Sequence, residues 1–494
     1  MDISKINFGA PAAERDINQG LVEYFVESEA YQNVLNRKKT IILGNRGTGK
    51  SAIFKVIAER ERKRGALVIE LSPEEYSYEI LNEMMISENR GAWAKQGAYA
   101  AAWKYLIYVL VMKALSKEGS RLKTGAAEKI YVYLRDNHKG MQSNPISILI
   151  AYLKRIEGFK IGQIEASLKT KELTRLYQLE EINQLIPAVN ELCKKRQVLI
   201  LVDELDRGWD ASEDAKAFVS GLFQAAIAIN QVSEDLQVVA SLRRELYDNI
   251  PSLYEDAQKV RDVIEDISWD ERSLLKLIAN RIRYSVPELS KKDDYQCWNL
   301  VFAETLEYRQ TKSFNYMVDR TLYRPREIIQ FCTQCLEEDT KNLIGLPIDY
   351  NVISKAELIY SGERAKDIAA EYRFQYPGLN SIFEVFRGKS YTFDRDALEL
   401  LCLGITTGEY RVDDNAKRWV MYQEPEFLID VLWRIGFLRA QAVGGIKAMR
   451  RSGSTYLGSH QLASLHLRNI PRFHVHPMFR SYLGLKESRD KSEE

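Results

Sequence analysis

The stretch that most constrains this chain is GNRGTGKS at residues 44–51, set between an apolar run and an amphipathic one. Thr40–Leu43 (TIIL) is short and β-rich, and SAIFKVIAER from Ser51 carries apolar residues at helical spacing. Gly44, Gly47 and Gly49 let the backbone curl and turn its N–H groups inward. Lys50 supplies a point charge for the β- and γ-phosphates of ATP, and the Ser51 hydroxyl a ligand for Mg²⁺. The helix that follows aims its positive end at the anion. The spacing matches G-x-x-x-x-G-K-[ST] without deviation, so Gly44, Asn45, Arg46, Gly47, Thr48, Gly49, Lys50, Ser51 and Ala52 are the candidate phosphate-binding residues.

A strand, a phosphate loop and a helix require a sheet to sit in. Three further runs supply it: Ala66–Leu71 (ALVIEL), Val198–Val202 (VLILV) and Leu236–Ala240 (LQVVA). Each is short, rich in Val, Ile or Leu, and followed by polar residues, as in a parallel strand buried on both faces. A fifth strand is expected at Asp262–Ile267. Helical patterns separate the runs, so the fold class is α/β with a parallel sheet. The gap from Leu71 to Val198 is too long for one crossover helix. It reads as a helical insertion at about 90–195, with helices at Trp93–Leu115, Ala126–Asp136, Pro145–Ile156 and Lys171–Lys195 and a flexible part at Gly158–Thr170. The apolar stretch Ala98–Leu115 contains Lys104 and Lys113 and is read as a buried helix, with no membrane span.

The second half of the site is LILVDELD at 199–206. A buried strand ends there in two adjacent carboxylates. Asp203 is placed to hold Mg²⁺ and Glu204 to polarise an attacking water. Adjacent Asp and Glu at a strand end favour hydrolysis over binding alone.

The ordering of these parts resembles the additional-strand branch of P-loop ATPases, which includes AAA+ and STAND proteins. In QVVASLRREL, Ser241 and Arg243 fall just after the fourth strand, where STAND ATPases carry a sensor arginine; the resemblance makes Arg243 the candidate. The run YRPREII resembles the second sensor region of origin-recognition-type AAA+ proteins, which places Arg326, rather than Arg324, at the γ-phosphate. DELDRGWD, RPREIIQFC, ISKAELIYSGER and FHVHPMFRSYL together resemble a bacterial family of P-loop ATPases with a helical lid and a winged-helix-like C-terminus. That resemblance implies an anti-phage defence setting beside an effector protein, and homo-oligomers. Arg207, Arg244 and Arg261 are open as arginine fingers. Tyr24 and Phe25 precede the first strand, where such ATPases hold the adenine.

The domain boundaries follow: 1–268 as the ATPase core, 269–345 as a helical lid, 346–486 as a helical and winged-helix-like domain, and 487–494 as a charged tail. Net charge is +1, so the global balance names no partner. Locally, Val431–Lys486 holds nine basic residues and no acidic one. Lys447, Arg450 and Arg451 lie at its glycine- and serine-rich turn, where a wing could neutralise nucleic-acid phosphates or dock an acidic protein. Five scattered cysteines and no signal-peptide pattern fit a cytoplasmic protein. Cys332 and Cys335 read as core packing, and His474 and His476 lack the further ligands a metal would need. Two alternatives to a regulatory or assembly ATPase stay open: a DNA-bound initiator or loader, and a scaffold that binds ATP for stability.

Overall fold

A computed structural model of the chain describes residues 6–72, 92–117, 124–138, 148, 179–207, 209, 211–250, 253, 261–342, 345–442, 456–461 and 465–487. They form two compact units, Glu27–Ser268 and a second that joins Met1–Val26 to Trp269–Glu494.

The first unit is built on a five-stranded parallel sheet of β1 (Ile41–Leu43), β2 (Leu67–Leu71), β3 (Val198–Val202), β4 (Leu236–Leu242) and β5 (Ile264–Asp266). The strands stand in the order β2-β3-β4-β1-β5. β4 therefore separates the strand that feeds the glycine loop from the one that ends in Asp203, with Ile41 in register with Ala240 and Val202 also opposite Ala240. Every residue of β1, β3 and β4 is buried, which explains their unbroken apolar runs. The fifth strand falls inside the span expected for it.

Among the described residues, helices α1 (Glu29–Leu35), α2 (Lys50–Lys63), α3 (Ala92–Lys117), α4 (Ala126–Asn137), α5 (Leu179–Lys195), α6 (Glu213–Val232) and the one-turn α7 (Arg244–Tyr247) belong to this unit. α6 is capped by Ser212, whose side chain accepts from the Ala215 N–H. It packs closely on α3: a Cβ added at Gly221 would stand 2.7 Å from the Ala100 nitrogen and the Tyr99 Cβ. Nearby, the Trp103 indole N–H donates to the Phe218 carbonyl at 3.1 Å. The segment Gly97–Ser116 has the length and hydropathy of a membrane span, and 67% of that window is buried inside the protein. The expected helix at Pro145–Ile156 and the segment Gly158–Thr170 lie, save for Ile148, outside the described residues.

The longer part of the second unit opens with α8 (Glu271–Ser285), started by a capping box between Asp270 and Ser273. α9 (Asp294–Val301), α10 (Ser313–Val318), α11 (Pro325–Asn342) and α12 (Tyr350–Glu371) follow. Residues 1–26, assigned from the sequence to the ATPase core, fold with this unit instead. The reason is chemical: Arg281 on α8 pairs with Asp16 at 2.8 Å, their side chains 5% and 2% exposed, and Phe8 stacks on Phe302. The carboxylate of Asp16 also accepts from the Tyr24 hydroxyl at 2.8 Å and the Ala10 N–H at 2.6 Å.

The remainder of this unit runs α13 (Leu379–Val385), β6 (Thr392–Asp394), α14 (Arg395–Thr406), α15 (Asp414–Val420), α16 (Pro425–Arg434), β7 (Leu438–Gln441), β8 (Tyr456–Leu457), β9 (Arg472–Val475) and α17 (Pro477–Leu483). The four strands form an antiparallel sheet in the order β8-β7-β9-β6. Arg439 on β7 is bound by Asp319, at the end of α10, through its side chain at 2.6 Å and its carbonyl at 2.8 Å. Lys447, Arg450 and Arg451 lie outside the described residues, between β7 and β8.

Candidate nucleotide site

The site starts where β1 stops. Gly44 leaves the sheet with so little room that an added Cβ would stand 2.5 Å from the Thr48 hydroxyl. Gly47 and Gly49 have φ of 84° and 98°, in the left-handed region that glycine reaches without strain. Gly49 is the residue before α2, so the free N–H groups of that helix start at the loop. Thr48 is buried and its hydroxyl donates to the Asn45 carbonyl at 2.9 Å. Arg46, Ser51 and Ala52 are half-buried at the loop and the first turn of α2.

Lys50 is folded over this loop. Its ammonium donates to the carbonyls of Gly44 at 2.6 Å and Asn45 at 3.1 Å. Burial pushes its pKa below the usual lysine value, and the carboxylates of Glu245, Asp203 and Asp206 pull the other way. The loop lysine and the β3 aspartate therefore share one electrostatic site.

Asp203 follows β3 directly, and its N–H donates to the Leu71 carbonyl at 2.9 Å. The Ser241 hydroxyl donates to Asp203 Oδ1. Ser241 lies within β4 rather than after it, because that strand continues to Leu242. Glu204 has φ of 56°, in a region that non-glycine residues avoid. Its carboxylate lies 3.5 Å from Arg207, both partly exposed.

Arg243 comes directly after β4. Its guanidinium pairs with Asp206 and lies 3.8 Å from Glu245. Asp206 and the buried Glu245 were missed from the sequence. Asp206 is three residues past Asp203, and Glu245 two past Arg243, spacings that give no signal until the two strand ends are brought side by side.

The other arginines divide. Arg244 is bound by Asp248 and by both oxygens of Asp266, each at 2.9 Å, which raises its pKa and gives it a structural role. Arg261 is exposed on a turn before β5. In the second unit, Arg324 is buried against Glu371 at 2.7 Å, and half-buried Arg326 donates to the Pro11 carbonyl at 3.2 Å. Tyr24 is also part of that unit: buried, bonded to Asp16, with the Arg281 guanidinium 4.5 Å from its ring centre.

Cys332 and Cys335 are fully buried, with burial pushing both thiols well above their usual value. His474 stacks on Tyr456, while His476 caps α17 and faces Arg439 at 2.8 Å. Among the described residues no group of three His, Cys, Asp or Glu side chains could hold a metal ion.

The glycine loop between β1 and α2, beside a parallel sheet, is a P-loop NTPase core. Residues 272–369 match the family model of the FunZ-associated C-terminal helical domain. Over 501 residues, covering 99% of this chain and 68% of the other, the sequence is 22% identical to the putative transposon gamma-delta 80.3 kDa protein of Escherichia coli (strain K12). Among solved structures, the Aeropyrum pernix ORC2 protein in its ADPNP and ADP complexes aligns over 97% of this chain and 96% of its own, at 10% identity and a TM-score of 0.29.

Proposed function

We propose that the chain is a Mg²⁺-dependent ATPase that regulates or assembles other components. The observation that carries this reading is the joint placement of Lys50 and Asp203 in one charged site beside a glycine loop with left-handed Gly47 and Gly49.

The chemistry fits the residues present. Backbone N–H groups at the start of α2 face an anion with the right polarity, and Lys50 exchanges two carbonyls for phosphate oxygens. Ser51 and Asp203 would hold Mg²⁺, and Ser241 fixes the orientation of that carboxylate. The metal, when bound, neutralises charge on the β- and γ-phosphates. Glu204 orients the water and takes its proton, and Arg243 meets charge that develops on the γ-phosphate. Arg326, in the 269–345 region, is the second sensor arginine of this reading.

In biological setting, we read the chain as a component of a bacterial defence system, on the resemblance carried by DELDRGWD, RPREIIQFC, ISKAELIYSGER and FHVHPMFRSYL and with homo-oligomers or an effector as partners. The mobile-element relative from Escherichia coli is compatible with an element-borne role. A second reading, a DNA-bound loader, rests on the basic run Val431–Lys486, with Lys447, Arg450 and Arg451 as its wing. DNA-stimulated turnover with a steep salt slope would select it. The primary test pairs two variants: Lys50→Ala is expected to lose ATP binding, and Glu204→Gln to keep binding and lose turnover. Unchanged ATP binding by Lys50→Ala would overturn the assignment.

A further inference from the structure

Between α9 and the start of α10, within the second unit, lies a pocket of about 220 Å³ that the nucleotide reading does not use. One wall is a face of α9: Tyr295 is three residues before Trp298 and four before Asn299, so the three side chains fall together. Trp298 is buried and fixed from three sides. It stacks on Phe302 at 4.3 Å, meets Phe314 edge-on at 5.0 Å, and donates its indole N–H to the Ser313 hydroxyl at 2.9 Å. Tyr295 also meets Phe314 edge-on, at 6.4 Å, but is 47% exposed. A fixed aromatic wall thus stands beside a half-exposed ring.

The same pocket is lined by one acid and one base, Glu304 and Lys312. A two-stranded ladder sets Thr305 opposite Lys312, and the Ser313 N–H donates to the Glu304 carbonyl at 3.1 Å. The Lys312 ammonium stands 5.5 Å from the centre of the Tyr295 ring. Among the described residues neither charge is ion-paired, with the other or with a third group. Fully buried Ser313 accepts from Trp298, and its own hydroxyl hydrogen has no acceptor among the described residues. The nearby carboxylates are engaged elsewhere: Asp293 caps α9, and Asp294 pairs with Arg283 at 2.6 Å. Lys291, Lys292 and Glu307 are exposed and do not line the pocket.

Drug-sized sites run to roughly 300–1,000 Å³, so this smaller pocket suits a single ring system. An apolar side chain could fill it, but would leave Asn299, Ser313 and Glu304 dehydrated and unpaired. A nucleobase brings an aromatic face and a polar edge together. The pairing edge of guanine carries two adjacent N–H donors, which one carboxylate accepts together, and beside them a carbonyl oxygen for a hydroxyl or amide donor. A phosphate on the attached sugar supplies the anion that Lys312 lacks.

We propose that this pocket binds an unpaired guanine that carries a phosphate. The base stacks on Tyr295, its edge meets Glu304, Asn299 and Ser313, and the phosphate meets Lys312. A free guanine nucleotide and a guanine in a single strand share this chemistry. The inference needs no part of the reading of Lys50 and Asp203.

The test is calorimetric titration of the full chain with GMP, beside fluorescence anisotropy of a labelled thymidine strand with and without one central guanine. GMP is expected to bind about tenfold or more tighter than AMP, CMP or UMP. Tyr295→Ala should weaken GMP binding about fivefold or more. Glu304→Gln should erase the preference for GMP over AMP, and Lys312→Ala should weaken GMP while leaving guanosine unchanged. All three side chains are exposed, so each variant should keep its native thermal transition. Lys50→Ala should bind GMP as the wild type does, which separates this pocket from the glycine loop. A guanine strand that binds tighter than GMP names nucleic acid as the source, and the reverse names the free nucleotide. Failure to bind both GMP and the guanine strand overturns the proposal, as does equal affinity for the four bases. So does GMP affinity unmoved by Tyr295→Ala and Glu304→Gln, or N-acetyl-tyrosinamide binding tighter than GMP, which would make the pocket a receptor for a protein side chain.

Discussion

Removing the Asp16 carboxylate should cost the second unit several kilocalories. Asp16→Ala deletes the pair with Arg281 at 2.8 Å and the acceptor for the Tyr24 hydroxyl and the Ala10 N–H. The guanidinium keeps the Phe8 carbonyl at 2.5 Å, yet its charge stays buried and uncompensated. Breaking a buried pair from one side costs about 3–5 kcal/mol. In a unit of this size each kcal/mol moves the melting temperature by about 2–4 °C, so a drop of roughly 6–20 °C is expected. Replacing both partners, Asp16→Leu with Arg281→Met, removes the stranded charge but leaves the Tyr24 hydroxyl, the Ala10 N–H and the Phe8 carbonyl without these partners, so it should recover only about 1–3 kcal/mol of the loss. Calorimetry with urea melts in parallel reads both. A shift under about 2 °C for Asp16→Ala, or a double variant as unstable as the sum of the singles, would refute the reasoning.

Further expectations are independent of that pair. Glu204→Gln should lower ATP turnover by about 10²–10⁴-fold at unchanged ATP affinity, read by phosphate release beside calorimetric titration; equal turnover removes Glu204 from the mechanism. Burial lowers the pKa of His460 to about 3 and that of His476 well below its usual value, so the unfolded chain binds the extra protons. Stability of the second unit is then complete above about pH 6.5 and falls as pH drops towards 3, by up to about 1.4 kcal/mol per pH unit for His460. Urea midpoints at pH 7 and pH 5 test this, and His460→Gln should flatten the slope. Gly221→Val should destabilise the first unit by about 1–3 kcal/mol, because its side chain would enter the backbone of α3, and a neutral result would show that α3 and α6 can move apart freely.

The first unit was legible where the chemistry is local. A buried parallel strand is apolar along its whole length, so β1, β3 and β4 announce themselves, and the glycine loop has a fixed spacing between two of its parts. What the sequence hides is long-range pairing. Asp16 and Arg281 are 265 residues apart, and neither carries any trace of the other. That is why residues 1–26 were credited to the wrong unit. The same holds on a smaller scale for Asp206, which reaches Arg243 only because β4 lies beside β3. Ser241 was placed one step late for a simpler reason: the apolar run ends at Ala240, while the strand's hydrogen bonding continues to Leu242.

The detour of the chain has a consequence for how it is made. An N-terminal segment that must wait for α8 is synthesised first and satisfied late. At about 5–20 residues per second, the interval between Asp16 and Arg281 leaving the ribosome is roughly ten to fifty seconds. During that time the glycine loop and its sheet can close on their own, while Ile6 and Phe8 have no core to enter. A nascent chain with residue 270 just clear of the ribosome would thus carry a complete first unit and an uncovered N-terminal segment, a natural client for a ribosome-bound chaperone.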